Sequence, residues 1–565
     1  MSLKLSPVAR ILNLVKLERK EISAVYFFAI LSGVIQLSLP LGIQAIIGFV
    51  LGGAMSTSLI ILIALVIIGV LFTGIMQVNQ MRIIEKVQQK IFVRYSFAFS
   101  EKLPLLDLKK MDSFYLPELV NRFFEISILQ KGLSKLLLEI PTASIQIIFG
   151  LILLSFYHPA FILFGVLLIF ILWLILYYTG SRGLETSLTE SRAKYGIAAW
   201  LEEMARVIKS LKFSRGGNFY HERTDEKVAG YLDARTSHFK ILQQQFFTLI
   251  GFKVIITAAM LIVGSFLLIN QQINIGQFIA AEIVIILVIN SVEKLIGNLD
   301  NVYDVLTSVE KLSRLTDKPV EENGNLPFTP GSNGVALKMQ QVSFGYTPAL
   351  TVLKNTSFEI KQGEKVAIDG ADGQGKSTLL KMFTGAYNDF EGSILVDNIP
   401  LANYDLPTLR SQTGILLNQQ DIFQGTLMEN ITMGNPGISL KRLNELVEKT
   451  GLVDYMSTLP KGYDTELDAT GKRLPRNVIH KILLVRALAH NPSLLLLEEP
   501  WQGLADKNKK MIKETLLHES RNTTLLVVTN DKEFHQQCDK IIFLSENGCV
   551  VTEGYNQAPS GGEGI

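Results

Sequence analysis

Gly370-Ala371-Asp372-Gly373-Gln374-Gly375-Lys376-Ser377-Thr378 fits the pattern G-x-x-x-x-G-K-[ST], a residue set suited to wrapping backbone N–H groups around a phosphate chain. Glycines let the amides curl toward the anion, and the helix that follows offers the positive end of its dipole. Lys376 is the candidate for the β- and γ-phosphates, and the Ser377 hydroxyl for a Mg²⁺ ligand. The flanks agree, since Lys365-Val366-Ala367-Ile368 reads as a strand and Leu379 to Phe383 opens a helix. A chance match in a chain this long is of order a few per cent from residue frequencies. A second element, Ser493-Leu494-Leu495-Leu496-Leu497-Glu498-Glu499-Pro500, is an apolar strand ending in two carboxylates. Alone it is a common strand end. Beside a phosphate cradle, Glu498 suits a metal-side ligand and Glu499 a base that orients an attacking water.

Such a site needs an α/β domain to hold it. Beyond a cluster of breakers at Asp317–Gly334, short β-branched runs alternate with amphipathic helices, as in an α/β domain spanning 335–556. The tail 557–565 is expected to be disordered. Residues 1–316 read differently. The 565-residue chain is 48% hydrophobic and 19% charged, below the roughly 25% usual for soluble domains, with a mean hydropathy of +0.29. The apolar excess is concentrated. Ile22 to Met81 and Ile140 to Gly180 carry no Asp, Glu, Lys or Arg, and Ile241 to Val292 carries only Lys253 and Glu282. A bilayer core needs about 20 apolar helical residues to cross, so the three stretches predict six spans, turning near 52–57, 158–159 and 270–274. A simple cytosolic enzyme and a disordered chain are excluded. Two cysteines, Cys538 and Cys549, make no disulfide scaffold, and a net charge of +2 gives no reason to invoke nucleic acid.

The short turns hold no Lys or Arg, whereas the N-terminal segment (Lys4, Arg10, Lys16, Arg19, Lys20) and the long loops 82–139 and 181–240 are rich in them. By the positive-inside rule both termini and the α/β domain face the cytoplasm. No small-residue cleavage site follows the first span, which is expected to remain. Ile83, Ile84, Val87, Ile91 and Phe92 recur at helical spacing, so the spans are expected to project beyond the bilayer, with tips near Leu108–Pro117 and Gly196–Leu211. Lys253 reads as a snorkelling residue near the inner interface. Glu282, about 12 Å below the outer turn at 1.5 Å per residue, is a candidate for a substrate pathway or for an interhelical bond.

Six spans, long intracellular helical loops, a linker and a P-loop domain in that order resemble the ATP-binding cassette (ABC) exporter half-transporters over nearly the whole chain. Further motifs carry the resemblance. Tyr346, in Phe344-Gly345-Tyr346, stands where the family has an aromatic that stacks on adenine. Gly425-Thr426-Leu427-Met428-Glu429-Asn430-Ile431 and Arg486-Ala487-Leu488 with Asn491-Pro492 match family segments. The resemblance implies a helical six-span domain fused to a nucleotide-binding domain, with ATP and Mg²⁺ as ligands. It also implies an identical or different second half-transporter as mate, and coupling helices at the two loop tips. With about 21 residues before the first span no N-terminal peptidase domain is expected, and similarity is greatest to bacterial type I secretion and peptide exporters. That implies the plasma (inner) membrane, a periplasmic adaptor protein and a peptide, protein or amphipathic small molecule as cargo.

Several positions depart from the family. Its LSGGQ segment, which contacts ATP held by the opposite subunit, aligns with Leu474-Pro475-Arg476-Asn477-Val478. Proline has no N–H to offer, while Arg476 could contact phosphate instead. The metal-side aspartate is Glu498, the switch histidine is Asn530, and the Q-loop glutamine aligns with Asn418, with Gln419 and Gln420 adjoining. The D-loop aspartate aligns with Ala505, next to Asp506. Nucleotide-binding parts are therefore expected to be intact (Tyr346, Gly370 to Thr378, Glu498). Among the parts that activate hydrolysis only Glu499 is unchanged, because Asn530 hydrogen-bonds but never carries charge. Two readings follow: an exporter that hydrolyses ATP, or an ATP-binding, hydrolysis-deficient partner in a heterodimer.

Overall fold

A computed structural model describes residues 6–52, 57–112, 114–214, 217–347, 350–418, 420–468, 474–519, 522–545 and 548–553. The expected disordered tail lies outside these. The chain divides into two compact units, one formed by Met1–Pro104 with Phe114–Lys318, the other by Leu105–Ser113 with Pro319–Ile565.

In the first unit six helices are long and apolar enough to cross a membrane: Arg19–Leu51, Thr57–Leu105, Leu116–Tyr157, Ala160–Arg206, Phe219–Ile269 and Ile275–Thr316. The turns expected at 158–159 and 270–274 separate consecutive helices, while the one expected near 52–57 lies mostly outside the described residues. At 270–274 the turn closes on a capping box in which Asn274 accepts from the Gln277 N–H and the Gln277 side chain accepts from the Asn274 N–H. The helices overshoot the bilayer. The regular helix Thr57–Lys102 has 46 residues, about 69 Å at 1.5 Å per residue, roughly twice the hydrocarbon thickness. The first tip falls on the short helices Leu108–Met111 and Leu116–Val120, within the expected region. The second falls in the C-terminal part of the expected 196–211 region and runs two residues past it. Helix-favouring Ala199-Trp200-Leu201-Glu202-Glu203 extends the fourth helix to Arg206, and the turn comes at Val207 and the short helix Ile208–Phe213.

The unit's core joins the third to sixth helices through Ile147, Leu154, Phe161, Met260, Val284 and Val288. Lys253 is ion-paired with Glu293 at 2.6 Å rather than only snorkelling; the partner sits just past the apolar stretch, one helix away. Glu293→Leu leaves Lys253 without its counter-charge. It is expected to lower stability by about 1–2 kcal/mol, between the exposed and buried limits for ion pairs. Thermal unfolding in detergent checks this, and Lys253→Met added to Glu293→Leu should recover most of the loss.

In the second unit the strands are β1 Leu337–Thr347, β2 Leu350–Ile360, β3 Lys365–Gly370, β4 Glu391–Val396, β5 Ile399–Pro400, β6 Thr413–Leu416, β7 Gly425–Thr426, β8 Glu466–Leu467, β9 Leu494–Glu498, β10 Thr524–Val528, β11 Lys540–Ser545 and β12 Gly548–Glu553. The central sheet runs β12-β11-β3-β10-β9-β6, parallel except for the β11–β12 hairpin. An antiparallel sheet β2-β1-β4-β5 and a small β7–β8 pair complete the strands. The leucine run of β9 explains its place. Leu494 and Leu496 join one core, with Val366, Ile368, Leu526 and Val528, while Leu495 and Leu497 join the other, with Ala367, Leu525 and Val527. A parallel strand covered on both faces must be apolar throughout.

Residues 105–113 pack within this unit: Leu106 bridges Val320, Glu321 N donates to Leu105 O at 2.8 Å, and Lys109 Nζ lies 2.8 Å from Asp389 Oδ2 and 4.9 Å over the Phe344 ring. The breaker-rich segment after Pro319 is docked as well. Gly324 N donates to Tyr404 O, Phe328 is buried, and Glu321 holds Arg410 with both carboxylate oxygens.

Candidate nucleotide-binding site

β3 delivers the chain to Gly370, and the helix Lys376–Phe383 carries it away, so the intervening loop is fixed at both ends. Gly370, Gly373 and Gly375 take φ of 144°, 85° and 86°, values that side-chain-bearing residues rarely adopt. At Gly375 a Cβ would also lie 2.8 Å from Leu353 and 2.9 Å from Val352, so strand β2 seals the back of the loop. Ala371, Asp372 and Gly373 are exposed at its mouth and Gln374 is half-buried. Lys376 folds over the loop, donating to Gly370 O at 2.5 Å and Ala371 O at 2.8 Å, with Asp372 Oδ1 at 3.7 Å. The ammonium thus stands over the concavity where phosphate oxygens would replace those carbonyls. The cradle fits a phosphate chain.

The Ser377 hydroxyl donates to Glu498 Oε1 at 2.6 Å, and the Asn418 N–H donates to Glu498 Oε2 at 3.0 Å. The extra methylene of Glu498, relative to aspartate, lets one carboxylate span P-loop and Q-loop. A hydroxyl and a carboxylate at this spacing are hard oxygen donors of the kind Mg²⁺ takes, with phosphate and water filling the rest, so the pair fits the ion. Among the described residues no group of three or more His, Cys, Asp or Glu is placed to hold a metal ion. Glu498→Ala is expected to reduce the gain in nucleotide affinity conferred by Mg²⁺ about 10-fold. Titration of a fluorescent ATP analogue with and without the metal measures it.

The Tyr346 hydroxyl is hydrogen-bonded to Thr378 Oγ1 at 2.8 Å, and its ring stands edge-on to Phe344 and Tyr387. This ties the aromatic to the P-loop helix. Glu499 follows β9 with φ of 47° and is held by its N–H to Val528 O at 2.9 Å. Its carboxylate accepts from Thr529 Oγ1 at 3.4 Å and from the Asn530 backbone N–H. Burial pushes the Glu499 carboxyl above the usual carboxylate range, against those two hydrogen bonds. The Asn530 side chain is exposed.

Two expected contributors stand apart from the cradle. Arg476 opens the helix Arg476–Ala489 behind Pro475 and is exposed. With Asn418, His480 and Gln502 it lines a separate cavity of about 520 Å³. Asn418 reaches Glu498 through its backbone, a contact that side-chain identity alone does not reveal. Gln420 turns back to accept from Leu417 N, and Gln419 lies outside the described residues. Ala505 precedes the helix Asp506–Glu514 without a side-chain cap. Glu282 belongs to the membrane unit, half-buried, with its Oε2 buried and without a hydrogen-bond partner among the described residues.

Thr529 and His535 escaped the sequence reading. Buried His535 Nε2 lies 2.9 Å from Thr529 O, and Asp531 N donates to Thr529 Oγ1 at 3.2 Å, which orients the hydroxyl that meets Glu499. The threonine directly before the switch position was the available signal.

Comparisons with known proteins bear on the family and the fold. The family model for the ABC transporter transmembrane region matches residues 22–292, and that for the ABC transporter matches 353–502. The leukotoxin translocation ATP-binding protein LktB of Mannheimia glucosida is 28% identical over 423 residues, 73% of this chain and 59% of that protein. The leukotoxin export ATP-binding protein LtxB of Aggregatibacter actinomycetemcomitans is 29% identical over 311 residues, 54% of this chain and 44% of its own length. The chain therefore spans about three-fifths or less of these relatives. The structure of a bacterial Atm1-family ABC exporter with ATP bound superposes with a TM-score of 0.83 at 19% identity, covering 95% of both chains. With a transmembrane-region model and an ABC transporter model matched one after the other along most of its length, the chain belongs to the ABC transporters, and its fold is that of an ABC exporter.

Proposed function

We propose that this chain is one half of an ATP-dependent exporter that binds Mg²⁺–ATP firmly and turns it over slowly by itself. It pairs with a second half-transporter in a bacterial inner membrane, with termini and nucleotide unit in the cytoplasm. Its cargo is a peptide, protein or amphipathic small molecule, and a periplasmic adaptor completes the path. The kinship with leukotoxin exporters supports the secretion reading.

The observation that carries nucleotide binding is the joint placement of Lys376 over the glycine loop and of Ser377 against Glu498. Magnesium, when bound there, supplies charge neutralisation on the phosphates. Lys376 would hold the terminal phosphates, and Glu499 would orient the water and take its proton. Slow turnover is supported by what surrounds Glu499. Asn530 supplies no charge, and the segment 474–478 offers proline and bulky side chains to a mate's nucleotide where the family offers serine and glycine N–H groups. Loss of one preorganised donor costs roughly 10²–10³-fold in rate.

A mate with the family's own signature would restore hydrolysis at this chain's P-loop, leaving the other composite site slow. Purification from native membranes, with identification of the subunits that accompany the chain, tests the pairing. Phosphate release by the chain alone at the rate of ordinary exporters would overturn slow turnover.

A further inference from the structure

Within the membrane unit, beyond the apolar part of the helices, a cavity of about 420 Å³ is lined by six basic side chains, Arg122, Arg192, Arg223, Lys227, Lys311 and Arg314, and by only two carboxylates, Glu118 and Glu203. Both carboxylates are already engaged, Glu118 by Arg122 Nη2 at 2.6 Å and Glu203 by Arg206 Nε at 2.8 Å. Two of the basic groups are almost wholly buried. Lys311 is 0% exposed and its Nζ has no hydrogen-bond partner among the described residues. Arg122 is 4% exposed, and its Nε and Nη1 are likewise without one. Tyr195 lies between them, its ring 3.7 Å from the Arg122 guanidinium and 4.7 Å from Lys311 Nζ. The nearby buried Glu125 is occupied by the Tyr195 hydroxyl at 2.6 Å and Ser308 Oγ at 2.7 Å, with Lys194 Nζ at 3.8 Å.

Buried cationic donors without acceptors are costly, and a fold keeps them where something else supplies the acceptors. Dispersion and cation–π contact with Tyr195 offset part of the cost but leave the N–H groups unsatisfied. An arginine fork beside lysine ammonium groups is the donor set that recognises a multivalent oxyanion. We infer that this cavity is a binding site for a soluble phosphorylated anion of pyrophosphate size or larger, distinct from the P-loop, whose occupancy ties together the four chain segments that line it. Lys311 lies 19 residues beyond Val292, about 28 Å of helix from the end of the apolar stretch. That distance favours a soluble ligand over a lipid headgroup in the bilayer.

The test uses the full chain in detergent with Lys376→Ala, which removes phosphate binding at the P-loop, and measures equilibrium binding of radiolabelled pyrophosphate. Expected is saturable one-to-one binding that weakens with salt and raises the melting temperature. Lys311→Met in the same background should weaken it at least 10-fold, and so should Arg122→Gln. Lys311→Met alone should leave the ligand-free protein as stable or more stable, since it removes a buried unpaired charge. That result separates ligand recognition from a purely structural role. Absence of saturable binding, as when an acidic segment of a mate fills the cavity, overturns the inference. Binding indifferent to both substitutions, or binding of dispersed phosphatidic acid without binding of pyrophosphate, overturns it too. ATP retention by the unmodified P-loop is scored separately and bears only on the nucleotide site.

Discussion

Alanine at position 376 lowers the affinity for Mg²⁺–ATP by about 100-fold or more, roughly 3 kcal/mol, while the melting temperature of the protein without nucleotide stays within a few degrees. Lys376 is held within its own loop, by Gly370 O, Ala371 O and the exposed Asp372 carboxylate at 3.7 Å. Its removal therefore costs the resting fold little. The phosphate chain, by contrast, loses its one mobile full charge inside a ring of backbone dipoles. Equilibrium binding of a fluorescent ATP analogue reads the change. Unaltered affinity would mean that the glycine loop is not the nucleotide site.

The second large effect is at Glu499. Glu499→Gln is expected to leave nucleotide affinity within about threefold and to reduce phosphate release by 10²-fold or more, whether the chain is assayed alone or with a mate that supplies a normal signature. The amide keeps the shape and can still accept from Thr529, but it cannot take a proton from water. The pH profile gives a separate check. Burial holds the Glu499 carboxyl above its ordinary 4.5, so the protonated, inactive form persists to higher pH than for an exposed glutamate. Residual hydrolysis should therefore begin to fall, as pH is lowered, before an ordinary carboxylate would titrate, and the glutamine variant should lack that limb. Substituting Asn530→His should raise turnover in the parent chain and leave the Glu499→Gln variant inert.

The architecture was legible in the sequence because its signals are local and large. Three apolar stretches, two without a charge and one with only Lys253 and Glu282, each broken once by a polar turn, read as paired spans, and the glycine loop sits between strand and helix as its chemistry demands. Contacts made across the chain were less so. Lys253 looked solitary because its partner Glu293 lies on another helix, outside the apolar window that drew attention to it. The second loop tip falls at the far end of its expected region, since a helix whose face turns from apolar to polar is still a helix and nothing before Val207 stops it. Asn418 drew notice for a side chain that differs from its family, whereas its backbone N–H meets Glu498, a service that residue type does not encode. Arg476 was marked only by its alignment with the family's signature segment, and its position at a helix start, lining a cavity apart from the cradle, comes from the structure.

The grouping of residues 105–113 with the second unit bears on any attempt to produce that unit in isolation. A soluble fragment cut at the linker would begin near Pro319 and lack Leu106, which is 3% exposed and bridges Val320, together with Lys109 on Asp389. Such a fragment would show a bare apolar notch and invite aggregation. Fusing the nonapeptide back through a flexible tether, or adding it as a synthetic peptide, should raise the fragment's solubility and melting temperature together.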